Sequence, residues 1–292
     1  MRLITFTHDN VTRLGALRRR NGAEAVLDLI AHDDHLPGEM LAFLAGGEEM
    51  RRRAQEVVRL AQDEELLPLA EVQLAAPVPR PGKIICVGLN YLDHAQEGGH
   101  EVPDFPTVFA KYANTVIGPG QPIKIPPVTE EIDYEGELGV VIGRRARNVT
   151  LEDALDYVAG YVPFNDVTAR EYQRRTSQWT LGKTFDTFGP MGPTLVTGDE
   201  LVDPEALDLR VYLNDQLVQD SNTGNLIFKV PFLVHYLSEV MTLEPGDLIS
   251  TGTPSGVGFA RKPPLWLRPG DTVRVEIEGL GILQNPVVAE EG

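Results

Sequence analysis

The sequence predicts an α+β protein that is mostly β: a small N-terminal α+β domain over residues 1–75 and a larger, strand-rich domain over residues 76–292. Three observations lead there. Short apolar runs and period-two alternation dominate the second part, clearly amphipathic helices are few, and a proline-rich stretch separates the two parts. A chain of 292 residues can bury a substantial core, in one large domain or two unequal ones. Its 42% hydrophobic and 24% charged residues are ordinary for a globular protein.

Residues 1 to about 30 read as three short strands, RLITFTH, RLGALRR and EAVLDLIA, joined by polar turns. A charged helix is predicted over 48–65, with apolar positions at helical spacing. In LPLAEVQLAAPVPRPGK the prolines at 68, 77, 79 and 81 favour an extended linker over any regular element, which sets the boundary near residue 75. Beyond it, KIICVG reads as an apolar strand and LNYLDHAQEGG as a short helix closed by two glycines. IDYEGELGVVIG, residues 132–143, alternates as a strand. TLEDALDYV opens with Thr150 three residues before Asp153, in the manner of a capping box. LRVYLNDQLVQDS is a hairpin around Asn214 and Asp215. VPFLVHYLSEVM is the amphipathic helix of this half, with Pro231 in its first turn. PGD turns at 245–247 and 269–271 each launch a strand, LISTG and TVRVEIEG.

The 43 acidic and 26 basic residues leave a formal net charge of −17. That field repels phosphate backbones and anionic lipid, which argues against nucleic-acid and membrane partners. It also repels anionic metabolites unless a metal ion or local Lys and Arg reverse the potential at a site. The single cysteine, Cys86, excludes an intrachain disulfide and suits a reducing compartment. MRLITFTHDN has no apolar core of a signal peptide, and no run approaches the length of a membrane span. A cytoplasmic protein is expected.

Within 132–143, Ile132, Tyr134, Leu138, Val140 and Ile142 fall on one strand face, and Asp133, Glu135 and Glu137 on the other. A solvated polar face accounts for Asp133, but from Leu138 onward both faces are apolar. Glu135 and Glu137 stand where the chain enters an interior, and carboxylates there need partners. On spacing alone they fit a wet face or a ligand pair equally. Asp166 ends a second apolar run, GYVPFND; three such carboxylates suit Mg²⁺ or Mn²⁺ better than zinc, which wants Cys or His. In HAQE, His94 and Glu97 share a helix face, as a general base and its orienting carboxylate would, or as a plain surface pair does. Lys183 lies in TLGKTFDTFGPMGP, where it could meet a substrate carboxylate or simply be solvated. STGTPSGVG, residues 250–258, is able to offer backbone amides and Thr253 to an anion, but it is neither a Walker A loop nor GxGxxG. AHDDH at 31–35 reads as a solvated loop and Cys86 as core.

VGLNYLDHAQE, DYEGELGVVIG, NDVTAREYQ, GKTFDTFGPMGP and TGTPSGVG occur in the order typical of the fumarylacetoacetate hydrolase family, and the chain from about 80 to 290 resembles its two-domain bacterial members. The resemblance implies a mixed β-roll that binds Mg²⁺ or Mn²⁺ through Glu135, Glu137 and Asp166. It implies a catalytic dyad of His94 and Glu97, a substrate-contacting Lys183, and substrate contacts or support from Arg170, Gln173 and Thr253. The namesake enzyme's fourth carboxylate ligand is missing, since Val87-Gly88-Leu89-Asn90 occupies that segment, so three protein ligands are expected. A homodimer is expected on the same ground. The resemblance implies a small 2-oxo or 2,4-dioxo acid as substrate, although the namesake's own substrate class does not carry over. The leading expectation is hydrolysis of a C–C bond in an acylpyruvate-type 2,4-dioxo acid through a pyruvate enolate. The alternatives are an oxaloacetate decarboxylase or tautomerase, an isomerase of a 2-hydroxy-dienedioate, and a non-catalytic metal-binding member.

Overall fold

A computed structural model describes residues 1–92, 103–201 and 203–291. The three N-terminal strands form as read. Strands β1 (Arg2–His8), β2 (Val11–Arg20) and β3 (Ala23–Asp28) are an antiparallel meander. Its tight turns are made possible by the left-handed Asp9, Asn10, Asn21 and Gly22. The charged helix runs Gly47–Leu60, shorter than predicted, after a separate turn and a half at Met40–Ala45. It stops where Arg18 Nη1 takes the Ala61 carbonyl at 2.6 Å.

The proline-rich stretch differs from the expectation of an irregular linker. It supplies β4 (Leu67–Pro68) against β3 and β5 (Gln73–Ala75) against β1. Pro68 stands on an edge strand, where a missing N–H breaks no central ladder.

Next come β6 (Ile84–Gly88), β7 (Thr107–Lys111), β8 (Val116–Ile117) and β9 (Ile123–Ile125). The predicted helix over LNYLDHAQEGG falls mostly on 93–102, outside the described residues. IDYEGELGVVIG is not one strand: β10 (Ile132–Asp133) and β11 (Gly136–Ile142) belong to different sheets. They are followed by β12 (Val158–Asn165), β13 (Thr168–Ala169), β14 (Gly189–Pro190) and β15 (Leu195–Thr197). Thr150 and Asp153 bond as predicted, Oγ1 to Oδ2 at 2.7 Å, but they open only a 3₁₀ turn at Ala154–Tyr157. The predicted hairpin is β16 (Asp208–Leu213) and β17 (Gln216–Asn222), turning at a left-handed Asn214. The amphipathic helix spans Val230–Val240, and the two PGD turns launch β18 (Leu248–Ser250) and β19 (Thr272–Ile277) before β20 (Gly281–Ala289).

One large sheet runs β4-β3-β2-β1-β15-β12-β11-β18-β6-β7, and a second runs β17-β16-β19-β20-β9. This is the mixed, mostly β architecture expected. From Leu138 onward β11 is apolar on both faces because both are covered. Leu138, Val140 and Ile142 share a core with Leu209, Val211, Val273 and Val275 of the second sheet. Val141, with Val162 and Phe164 of β12, shares another with Met40, Phe43 and Leu44 of the N-terminal helices. The sheets approach so closely at Gly136 that a Cβ there would lie 2.3 Å from Val211 Cγ2. No helix among the described residues is long and apolar enough to cross a membrane.

The turn before β18 also ties β6 in place. Asp247 is 1% exposed and accepts from the backbone N–H groups of Glu244 at 2.7 Å and Lys83 at 2.8 Å. Asp247→Ala takes the acceptor from both half-buried donors and the partner from Lys83 Nζ, 2.5 Å from Oδ2, and a loss of about 1–3 kcal/mol is expected in urea unfolding. A loss below about 0.5 kcal/mol, the scale of a neutral surface change, would remove the turn from the stability account.

Candidate metal centre

Gly136 of β11 pairs with Asn165 of β12 and Glu137 with Phe164, so one step beyond the ladder Asp166 stands opposite Glu135, and two acidic residues of the two segments become diagonal neighbours on one face. These are Glu137 and Asp166. Glu135 enters from the break between β10 and β11, where the chain changes sheets. Its backbone is pinned twice: its N–H donates to Asn165 Oδ1 at 3.0 Å, and its carbonyl accepts from Asp166 N–H at 2.8 Å. The three carboxylates are buried, with ligand oxygens within 4.8 Å of one another.

Buried cations face them. Lys183, the last residue of the one-turn helix Thr180–Lys183, is 1% exposed rather than solvated. Its Nζ donates to Glu135 Oε2 at 2.6 Å and Asp166 Oδ2 at 2.7 Å, and lies 4.9 Å from the Phe109 ring centre. Burial works against the ammonium, but Asp166 and Glu135 outweigh it and hold the Lys183 pKa above its ordinary value. Arg170 Nη2 lies 2.6 Å from Glu135 Oε1 and 2.8 Å from Asp133 Oδ2, and its Nη1 donates to Gln173 Oε1 at 2.9 Å.

Asp133 corrects the sequence reading. Instead of meeting water it has zero exposure, and it accepts from the N–H groups of Gly258 and Phe259 at 2.7 and 3.1 Å. The same loop serves Glu137, whose Oε2 accepts from Gly252 N–H at 2.9 Å and from the Ser250 hydroxyl. Amides read as suited to an external anion are thus spent on the chain's own carboxylates. Thr253 lines the cavity, but its hydroxyl donates to the Gly136 carbonyl at 3.0 Å and accepts from Gln219 Nε2 at 2.8 Å. His94 and Glu97 lie outside the described residues.

Lys111 escaped the sequence reading. Fully buried at the end of β7, it donates from Nζ to Asp166 Oδ1 at 2.7 Å and to the Val167 carbonyl at 3.0 Å. Burial outweighs the attraction of Asp166 and lowers its pKa. The available signal was its place in TVFAK, where a lysine continues an otherwise apolar strand.

Among the described residues the donor set fits a hard divalent cation: three carboxylates, with no sulfur or imidazole beside them. The four buried carboxylates, Asp133 included, outnumber Lys111, Arg170 and Lys183. The imbalance falls on Glu137, whose pKa burial, Asp166 and Glu135 together push well above the ordinary value. A cation there would relieve that strain.

Over this floor opens a cavity of about 370 Å³, walled by Leu89, Phe109, Trp179 and Phe259 and by Arg170, Gln173 and Arg174. Leu89 holds a left-handed φ of 56°, costly for a side chain with a Cβ, at the cavity wall. Cys86 lies behind it with zero exposure, and burial, Asp166 and Glu137 push its thiol pKa well up. Labelling of Cys86 by a disulfide reagent at pH 8 is expected to proceed only at the rate of unfolding. Labelling within minutes in native buffer would show that this wall opens.

Residues 83–288 match the family model described as fumarylacetoacetate (FAA) hydrolase C-terminal. The chain belongs to the fumarylacetoacetate hydrolase family. Among relatives of this family it is 44% identical over 291 residues to the mitochondrial oxaloacetate tautomerase fahd2 of Xenopus laevis, spanning 99% of this chain and 90% of that one. A putative HpcE protein from Mycobacterium smegmatis has a TM-score of 0.86 at 36% identity, with both chains fully covered. Maleylpyruvate hydrolase from Sphingobium sp. SYK-6, solved in complex with manganese (II) ion and pyruvate, has a TM-score of 0.82 at 32% identity over the whole of both chains.

Proposed function

We propose that the chain is a Mg²⁺- or Mn²⁺-dependent enzyme acting on small 2-oxo acids, and that its reaction is keto–enol tautomerisation of oxaloacetate. The observation that carries this reading is a raised-pKa lysine, Lys183, set among buried carboxylates at the floor of a cavity sized for a small acid. Identity of 44% with an oxaloacetate tautomerase supports the choice of reaction.

In this reading Glu135, Glu137 and Asp166 hold the cation, which when bound supplies electrophilic polarisation to a 2-oxo acid. Lys183 spends two of its three N–H bonds on Glu135 and Asp166 and keeps the third for the substrate's 2-oxygen. Because its pKa is raised it acts as a fixed positive donor, stabilising negative charge on that oxygen as the enolate forms. His94, oriented by Glu97, takes the proton from C3 of the keto form. A proton from water on the 2-oxygen completes the enol while His94 returns the C3 proton to solvent, and the reverse sequence returns the keto acid. Arg170 and Gln173 hold the substrate carboxylate's side of the cavity, while Phe109, Trp179 and Phe259 limit water.

Hydrolysis of an acylpyruvate, the leading expectation from sequence, stands as the second reading, favoured by the likeness to maleylpyruvate hydrolase. The same pair would then deliver water to a distal carbonyl. Proton NMR in D₂O, with oxaloacetate and acetylpyruvate in separate tubes and EDTA controls, decides between them. Metal-dependent acceleration of enol–keto exchange without loss of CO₂ is the expected result. Acetate plus pyruvate from acetylpyruvate would move the assignment to hydrolysis, and pyruvate from oxaloacetate to decarboxylation. Metal-independent behaviour in both tubes would overturn the reading.

A further inference from the structure

We propose that Arg174 anchors the distal carboxylate of a four-carbon 2-oxo diacid and thereby sets a preference for diacids over monoacids. The inference rests on the 2-oxo acid chemistry proposed above and adds the group that reads the far end of the substrate.

Among the described residues lining the cavity, three carry positive charge: Arg170, Lys183 and Arg174. The first two are buried and committed to Asp133, Glu135 and Asp166. Arg174 differs on both counts. Its side chain is 54% exposed, so it stands at the rim, and its one ion pair among the described residues is through Nη2 to Glu131 Oε2. A guanidinium has five N–H donors, which leaves most of its fork for a ligand.

Its position is set by local geometry. Arg170 and Arg174 begin and end the one-turn helix Arg170–Arg174, four residues apart and therefore on one face, with Cβ atoms about 5–6 Å apart. Gln173, bonded to Arg170, shares the cavity wall with both. The row leads from the buried carboxylates to the rim. A 2-oxo acid seated at the floor with one further methylene places its second carboxylate toward that rim. The net charge of −17 repels a dianion, and a rim arginine locally reverses this.

Glu131 competes with such a ligand for the same guanidinium, which makes the assignment testable by sign. Calorimetry on the full chain with saturating Mn²⁺ would compare oxaloacetate with 2-oxobutyrate, which carries a methyl group in place of the distal carboxylate. Arg174→Gln is expected to weaken oxaloacetate relative to 2-oxobutyrate by about 10- to 100-fold. Glu131→Gln frees the guanidinium and should tighten oxaloacetate severalfold, while the backbone carbonyl of residue 131 keeps its bond from Arg170 N–H. Arg175→Gln, removing a guanidinium that stacks 3.6 Å from the Tyr172 ring centre, should keep the wild-type ratio.

Equal weakening of both acids by Arg174→Gln would overturn the assignment, leaving Arg174 a structural part of the rim. So would weakening of oxaloacetate by Glu131→Gln, since the ion pair itself would then be what matters. Wild-type protein that binds both acids equally would overturn this inference while leaving the 2-oxo acid reading in place. Wild-type protein that binds neither would overturn the 2-oxo acid reading and this inference with it.

Discussion

Glu137→Gln is expected to weaken Mn²⁺ binding by about 100-fold or more while raising the stability of the metal-free protein. The side-chain amide of the variant keeps an oxygen for Gly252 N–H and the Ser250 hydroxyl, so the local bonds survive. What it loses is a charge that burial, Asp166 and Glu135 all disfavour. The native pKa of Glu137 lies above the ordinary 4.5, so the fold favours the protonated form. Its contribution is therefore fully present below that ordinary value and is lost as pH rises through the raised native one. Metal-free wild type should grow less stable over that window, and the variant should respond less. Near neutral pH the variant should melt on the order of 2 °C higher per kcal/mol relieved. Calorimetric titration with Mn²⁺ and paired melting curves with EDTA check both halves. Unchanged Mn²⁺ affinity would remove Glu137 from the metal site.

His94→Ala should separate in the opposite way. The proposed ligands are untouched, so Mn²⁺ affinity should stay within about twofold, the scatter of an unperturbed site. Loss of proton transfer at C3 should slow turnover by about 10²- to 10⁴-fold. Both the dissociation constant and kcat must be measured on the same preparation. A fully active variant would exclude His94 from proton transfer, and a loss of Mn²⁺ binding would place it at the metal instead.

Much of the fold was legible because local rules decided it. The Asn214 hairpin, the Pro231 helix start and the two PGD turns depend on backbone angles that a few residues preset. The division of IDYEGELGVVIG was not. Period-two alternation assumes one continuous strand, whereas Ile132–Asp133 pairs with Thr168–Ala169 and Gly136–Ile142 pairs within the large sheet. Alternation therefore put Asp133 in water, although its partners Arg170, Gly258 and Phe259 are fixed by contacts 37, 125 and 126 residues away. Lys111 failed to register for a related reason. Its partner Asp166 is 55 residues downstream, and a lone lysine after an apolar run otherwise reads as a strand end in solvent. The need of Glu135 and Glu137 for partners was legible, because an interior cannot hold them without counter-charge, but spacing alone left a wet face equally open. Grouping them with Asp166 as metal ligands came from the family resemblance. The identity of that counter-charge needed three dimensions.

Strand β1 has consequences for how the chain is made. It can fold against β2 as soon as Arg20 has left the ribosome, but its other edge pairs with β15, Leu3 opposite Leu195 and Arg2 opposite Val196. Until β5 emerges, that edge is an unsatisfied template for any strand that passes. Strand β5, which meets β1 across Thr5–Thr7, shields the rest of it from residue 75 onward. The short stretch Arg2–Leu3 remains open until β15 emerges. The last pairing of β1 therefore waits for residue 197, while the far half of the same sheet stays unclosed until β18 at Leu248–Ser250 joins β11 to β6.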